Sequence, residues 1–107
     1  RMGRELLVLL QSDARFRLGA ALVGPDSAMI HRPVPGTSLQ FAVDGPTDLA
    51  AVIDFSLPPA LPGLCARLAE RRIPLVSGTT GLDAEAEAAL DRLAQQVPVL
   101  WAPNFSL

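Results

Sequence analysis

A short loop of glycine and threonine, Gly78-Thr79-Thr80-Gly81, is the part of the sequence best suited to hold a ligand. It follows the β-favouring residues 74–77 directly, and a helical pattern begins near Asp83. Ligand sites of open α/β sheets lie just outside the carboxyl ends of strands. Because glycine has no Cβ, the backbone can turn and approach a ligand closely here. The threonines offer hydroxyl and N–H groups, so the loop predicts binding of a flat polar group such as a carboxamide. An ordinary turn is the alternative.

Two further polar corners follow predicted strands. Asp54-Phe55-Ser56 comes after an apolar run at 50–53, and Ala102-Pro103-Asn104-Phe105 comes after 98–101. Neighbouring parallel strands place such corners side by side along one edge of a sheet, which predicts a ligand crevice. Asp54 either orients a ligand or accepts N–H bonds from the loop that follows it, and the second interpretation is favoured.

The sequence offers no nucleophile with a neighbouring base. The one histidine, His31, falls in an irregular link and is expected to be exposed, and no cysteine–histidine spacing suits a metal. Cys65 and Trp101 lie in apolar patterns and are predicted to be core residues. All nine basic residues are arginine, so lysine chemistry is excluded. We therefore predict no catalytic residue and no metal ligand in the chain, and a binding surface whose chemistry comes from a cofactor or from residues outside the chain.

Composition excludes several classes of protein. The 107 residues suit one domain, half of them are apolar, and no apolar run approaches the ~18 residues of a membrane span. A net charge of −2 gives no case for nucleic acid. With one cysteine and no export signal, a cytoplasmic location is expected.

The helices and strands that position these corners are predicted from the spacing of apolar residues and from the glycine and proline residues that end regular structure. A helix is predicted from residue 1 or 2 to about Ser12, with no strand before it. A buried strand is predicted at 17–23, and an irregular link with one short strand at 39–43 follows.

The second half of the chain has a clearer alternation. A strand at 50–56, covered on both faces, is followed by a helix that begins at Pro58-Pro59. Pro74 ends that helix, Asp83 caps the next one, and a strand follows at 98–102. Strands that alternate with helices imply right-handed crossovers and a parallel sheet. The predicted fold is α/β, a Rossmann-like doubly wound parallel sheet truncated at its first strand.

Four motifs together resemble the 4-hydroxy-tetrahydrodipicolinate reductase (dihydrodipicolinate reductase) family of the bacterial lysine and diaminopimelate pathway. They are Arg1-Met2-Gly3-Arg4, Val52-Ile53-Asp54-Phe55-Ser56, Ser77-Gly78-Thr79-Thr80-Gly81 and Ala102-Pro103-Asn104-Phe105-Ser106. The resemblance implies that residues 1–107 are a partial NAD(P)-binding domain. Its first strand, and a C-terminal substrate domain with the family's histidine and lysine, would lie outside the chain.

The resemblance also implies a cofactor, NADPH or NADH, and the residues that bind it. Arg1 and Met2 would close over the phosphates. The nicotinamide half would contact Gly78, Thr79, Thr80, Ala102, Pro103, Asn104 and Phe105. Val23 and Gly24 stand where many members carry an acidic residue, often followed by arginine, that reads the ribose, so the preference between the two cofactors stays open.

By this resemblance the full-length protein is an NAD(P)H-dependent oxidoreductase that reduces 4-hydroxy-tetrahydrodipicolinate, a small dicarboxylate, as a homotetramer. The chain by itself is expected to be inactive. A non-catalytic nucleotide-sensing module of the same fold is the alternative, and another Rossmann oxidoreductase is disfavoured by the paired corners.

Overall fold

The computed structural model describes residues 2–102, and for residues 2–6 it describes the backbone alone. The chain divides into two compact units, Arg1–Thr47 and Asp48–Leu107.

The first unit contains one helix, α1 (Met2–Ser12), which ends where the sequence predicts. The predicted strand at 17–23 is wrong, because the segment forms no strand. Leu22 makes an isolated parallel bridge to Ala42, through Ala42 N–H to Ala21 O and Val23 N–H to Ala42 O.

The short strand predicted at 39–43 is also wrong, since this segment makes only isolated bridges. Ala42 bonds to residues 21–23, whereas Phe41 exchanges bonds with His31 and Arg32, and Gln40 bridges Pro33. Proline has no N–H to extend such a ladder. The unit is therefore built from single bridges rather than a sheet.

The second unit is a three-stranded parallel sheet of order β1-β2-β3, with β1 at Val52–Asp54, β2 at Leu75–Ser77 and β3 at Val99–Trp101. A 3₁₀ turn (Pro58–Ala60) and α2 (Leu61–Arg71) connect β1 to β2, and α3 (Ala84–Ala94) connects β2 to β3. The predicted alternation of strand and helix from residue 50 onward is confirmed.

Sequence signals mark the ends of both helices. Asp83 caps α3 by accepting a 2.8 Å hydrogen bond from Ala86 N–H. α2 is capped at its C-terminus by Arg72, which is left-handed at φ 55°, and Ile73 N–H then donates to Leu68 O. Pro74 follows and leads into β2.

One face of the sheet carries the core. Two crossovers of the same hand, both stepping in one direction, place α2 and α3 on the same face. There the helices bury their apolar stripes against the strands, with Leu61, Leu68, Leu75, Ala86 and Leu93 each at most 3% exposed.

The opposite face is less covered than predicted. Ile53, Val76 and Leu100 form one row across the strands, and Ile53 is 39% and Leu100 54% exposed. The expectation that the strand at 50–56 is covered on both faces is therefore wrong at Ile53.

Candidate functional site

The carboxyl ends of the three strands form one polar edge, as the sequence predicts. Asp54 and Ser77 are register partners, and Ser77 is the register partner of Trp101. The pairing continues past the strands, with Gly78 N–H donating to Asp54 O and Ala102 N–H to Ser77 O, each at 2.9 Å. The loops after β1 and β2 and the residue after β3 consequently lie side by side.

Asp54 is the hub of this edge. Its carboxyl Oδ2 accepts hydrogen bonds from Ser77 Oγ at 3.0 Å and from Thr79 Oγ1 at 2.7 Å. Its Oδ1 accepts from Ser56 N–H at 3.0 Å. The favoured interpretation, that Asp54 accepts from the following loop, is confirmed. In addition, the side chain is buried and joins two loops.

Thr79 directs its polar groups into the protein. Besides the hydroxyl bond to Asp54, its N–H donates to Ser77 Oγ at 3.3 Å and its carbonyl accepts from Trp101 Nε1 at 2.8 Å. Only 3% of Thr79 is exposed. The hydroxyl that the sequence predicts as a ligand contact is thus engaged by Asp54, and a cofactor contact by Thr79 stays a prediction.

Thr80 and Gly81 face outward at the tip of the same loop. Both are exposed, and Gly81 has φ +70°, a conformation that glycine adopts at little cost. The Thr80 hydroxyl and N–H are therefore the groups of this loop placed to meet a ligand.

Gly78 lies beneath the ring of Phe55. A Cβ at Gly78 would come within 2.7 Å of Phe55 Cδ1, and closer still to Cε1, so only glycine fits under the ring in this arrangement. Gly78 is itself buried. Its predicted contact with the cofactor therefore requires either the ring to move or an approach past its edge.

Trp101 corrects a prediction. The sequence placed it in the core, but it is 42% exposed, and its indole N–H reaches the Thr79 carbonyl. An aromatic residue at the end of an edge strand combines apolar contact with a polar tip in this way.

His31 and Cys65 have the environments that the sequence predicts for them. His31 is exposed at φ 69°, and Cys65 is a core residue 3% exposed. Burial, and secondarily the charge of Asp54, raises the pKa of the Cys65 thiol to about 11, while Arg92 acts weakly in the opposite sense. Such a thiol is unreactive at neutral pH.

Several predicted contacts cannot be placed. Arg1, Pro103, Asn104 and Phe105 lie outside the described residues, and Met2 is described by its helical backbone only. Ala102 is half-buried at the end of β3. Among the side chains that the structure describes, those of residues 7–102, no group of three or more histidine, cysteine, aspartate or glutamate residues is arranged to hold a metal ion. No helix in this part of the chain is long and apolar enough to cross a membrane.

Ser77 is the residue of this edge that sequence reasoning missed. It is fully buried, donates to Asp54 and accepts from Thr79 N–H. The available signal was that Asp54 and Ser77 each end an apolar strand, so that parallel pairing makes them neighbours across the sheet.

The open parallel sheet with helical crossovers and a polar loop at its carboxyl edge defines a Rossmann-like α/β domain. The family described as dihydrodipicolinate reductase, N-terminus, matches residues 1–105. The chain belongs to this family.

Curated relatives agree over the whole chain. The 4-hydroxy-tetrahydrodipicolinate reductase of Xylella fastidiosa (strain 9a5c) is 40% identical over 109 residues, which cover 100% of this chain and 45% of that protein. The protein of the same name from Xanthomonas axonopodis pv. citri (strain 306) is 42% identical with the same coverage. The chain thus spans 45% of the length of these relatives.

Proposed function

We propose that the chain is the cofactor-binding part of an NAD(P)H-dependent reductase that converts 4-hydroxy-tetrahydrodipicolinate to tetrahydrodipicolinate. The proposal is supported by the family match over residues 1–105 and by relatives that carry this enzyme's name. The observation that carries it is the polar edge, where Thr80 stands exposed on a loop fixed to Asp54.

The residues of the edge fit the carboxamide end of a nicotinamide. A carboxamide presents one acceptor and two donors in a plane, and Thr80 offers a hydroxyl and an N–H beside the open backbone of Gly81. From the resemblance, Gly78, Thr79, Ala102 and residues 103–105 complete this contact, and Arg1 and Met2 lie over the phosphates. When bound, NADPH or NADH supplies the hydride.

The chain's own residues would bind and orient rather than transfer protons. Within the described residues, the strand ends hold one carboxyl group, Asp54, whose oxygens accept bonds from Ser77, Thr79 and Ser56. The acid and the clamp for the dicarboxylate are therefore assigned to the rest of the full-length protein. From the resemblance alone, the proposal includes a homotetramer in the cytoplasm.

The test is performed on the full-length protein. NADPH and NADH oxidation is followed by absorbance with freshly generated 4-hydroxy-tetrahydrodipicolinate, and dinucleotide binding is measured separately by fluorescence titration. Turnover together with binding supports the proposal. Binding without turnover favours the nucleotide-sensing module, and the absence of binding contradicts both.

A further inference from the structure

We propose that Asp54 is a positioning residue of the cofactor site, which acts by holding the loop 78–80 in the shape that receives the nicotinamide half. This rests on the proposed function, since it assumes that the loop meets the cofactor.

The carboxyl group of Asp54 links two strand ends. Ser56 N–H, on the loop after β1, donates to Oδ1, while Ser77 and Thr79, at the end of β2 and in the loop beyond it, donate to Oδ2. The loops are also joined through Gly78 N–H to Asp54 O. With Asp54 only 7% exposed, water does not compete strongly for these bonds.

The consequence reaches Thr80 through the peptide bond. The Thr79 carbonyl, held by Trp101, and the Thr80 N–H belong to one planar peptide group, in which they point in opposite directions. The hydroxyl and N–H of Thr79 are held by Asp54 and Ser77. Fixing Thr79 on three sides therefore fixes where Thr80 begins, and with it the positions of the Thr80 N–H and side chain.

Asparagine at this position separates the carboxyl group's role from its size. Whichever way the amide of Asp54→Asn turns, its NH₂ group meets a donor: either Ser56 N–H, or the hydroxyls of Ser77 and Thr79, which must then reorient. In both orientations the charge that strengthens these three bonds is lost, so the loop is held less firmly.

The experiment compares full-length wild type with Asp54→Asn. We expect the NADPH dissociation constant and KM to rise at least about fivefold, with a smaller change in kcat. The matched control is Ile73→Val, a buried position before β2 that lowers the melting temperature without touching the loop. Its cofactor affinity should stay within about twofold. If Asp54→Asn lowers the melting temperature but binds cofactor as Ile73→Val does, the role is structural only and the proposal is overturned.

A double-mutant cycle tests the route through Thr80. If Asp54 acts by positioning Thr80, Asp54→Asn should weaken cofactor binding less in the Thr80→Val background than in wild type, because the hydroxyl, one of the two groups of Thr80 to be positioned, is gone. Fully additive losses overturn the proposal.

Should Asp54→Asn fail to fold, Ser77→Ala replaces it. This change removes the hydroxyl between Asp54 and Thr79 N–H. We expect the NADPH dissociation constant to rise by about twofold or more. An unaltered affinity for Ser77→Ala then contradicts the proposal. Wild-type protein without dinucleotide binding overturns the proposed function and this inference together, whereas wild-type binding with insensitive variants overturns this inference alone.

Discussion

The indole Nε1 of Trp101 donates a 2.8 Å hydrogen bond to the backbone carbonyl of Thr79. The bond joins the end of β3 to the loop after β2, so the loop is held from the β3 side as well as from Asp54 on the β1 side. A side chain that is 42% exposed is thereby fixed at its polar end.

Trp101→Phe removes this bond and keeps an aromatic ring. The Thr79 carbonyl loses its partner, and we expect the free energy of unfolding to fall by roughly 0.5–1.5 kcal/mol. Urea denaturation of the 107-residue chain measures the change. Leu100→Val, exposed on the opposite face of the same strand, is the control and should change stability by less than about 0.5 kcal/mol. Equal losses in both variants would mean that the indole bond contributes nothing.

The two threonines of the loop should respond differently to the same substitution. Thr79→Val deprives Asp54 of a buried donor and should cost roughly 1–2 kcal/mol of unfolding free energy. Thr80→Val alters an exposed side chain and should leave stability within about 0.5 kcal/mol.

Cofactor binding should show a distinct effect at Thr80. If its hydroxyl orients the carboxamide, Thr80→Val costs the full-length protein about one hydrogen bond, roughly 0.5–1.5 kcal/mol, and misorientation adds to the loss in turnover. Melting curves and steady-state kinetics of both variants check this. Unchanged kinetics for Thr80→Val would leave the Gly78–Gly81 loop as an ordinary turn.

Gly78 and Phe55 should be coupled. The Cβ of Gly78→Ala collides with the Phe55 ring, and overpacking of this kind typically costs about 1–3 kcal/mol. In a Phe55→Ala background the space is open, so the same substitution should cost clearly less. A double-mutant cycle of unfolding free energies measures the coupling. If the cost of Gly78→Ala is the same in both backgrounds, the ring does not cover Gly78.

Local signals were sufficient for the second unit. Pro74, the Asp83 cap and the apolar stripes of α2 and α3 each act within a few residues, and strand–helix alternation then dictates the parallel order. In the first unit the predicted strand at 17–23 depended on a partner, and the segment around Phe41 and Ala42 pairs with it only through the bridge from Leu22 to Ala42.

The candidate site was likewise predictable from the sequence only in part. The positions of the three corners followed from topology, because the carboxyl ends of parallel strands share an edge. The inward engagement of Thr79 did not, since it depends on the register that sets Asp54 beside Ser77 and on the reach of Trp101. The exposure of Trp101 was missed for a related reason: an apolar strand does not reveal whether it lies at the edge of its sheet.

Cys65 should control the alkaline stability of the chain. Burial raises the pKa of its thiol to about 11 from an ordinary value of 9.0. Between these pH values the unfolded chain has released a proton that the folded chain retains, so the free energy of unfolding falls as pH rises. After allowance for solvent screening, we expect a loss of roughly 1–2 kcal/mol.

The composition leaves few other side chains that titrate in this pH range. The chain contains no lysine and no tyrosine, and arginine titrates above about 12. Denaturation of the 107-residue chain from pH 8.5 to 11 should therefore show the loss in wild type and a nearly flat profile in Cys65→Val. Parallel profiles would assign the alkaline loss to another group.

The last prediction concerns cofactor choice at Val23 and Gly24, the positions that the resemblance assigns to contact with the cofactor's ribose. A carboxylate there accepts the 2′-hydroxyl of NADH and repels the 2′-phosphate of NADPH, whereas an arginine favours the phosphate. With neither present, we expect the full-length protein to use both cofactors with efficiencies within about a factor of ten, or roughly 1.4 kcal/mol.

A carboxylate introduced here should shift the preference toward NADH. Val23 is half-buried with its N–H bonded to Ala42 O, so Val23→Glu carries some cost in stability. Gly24 is exposed and a Cβ there meets nothing within 4 Å, which makes Gly24→Glu the better tolerated second variant. Gly24→Gln matches it in size without the charge and is the control. Steady-state efficiencies for NADH and NADPH decide the matter. A wild-type preference for one cofactor of more than about a hundredfold would mean that these positions do not contact the ribose. The same conclusion follows if both glutamate variants have the NADH-to-NADPH efficiency ratio of the glutamine control.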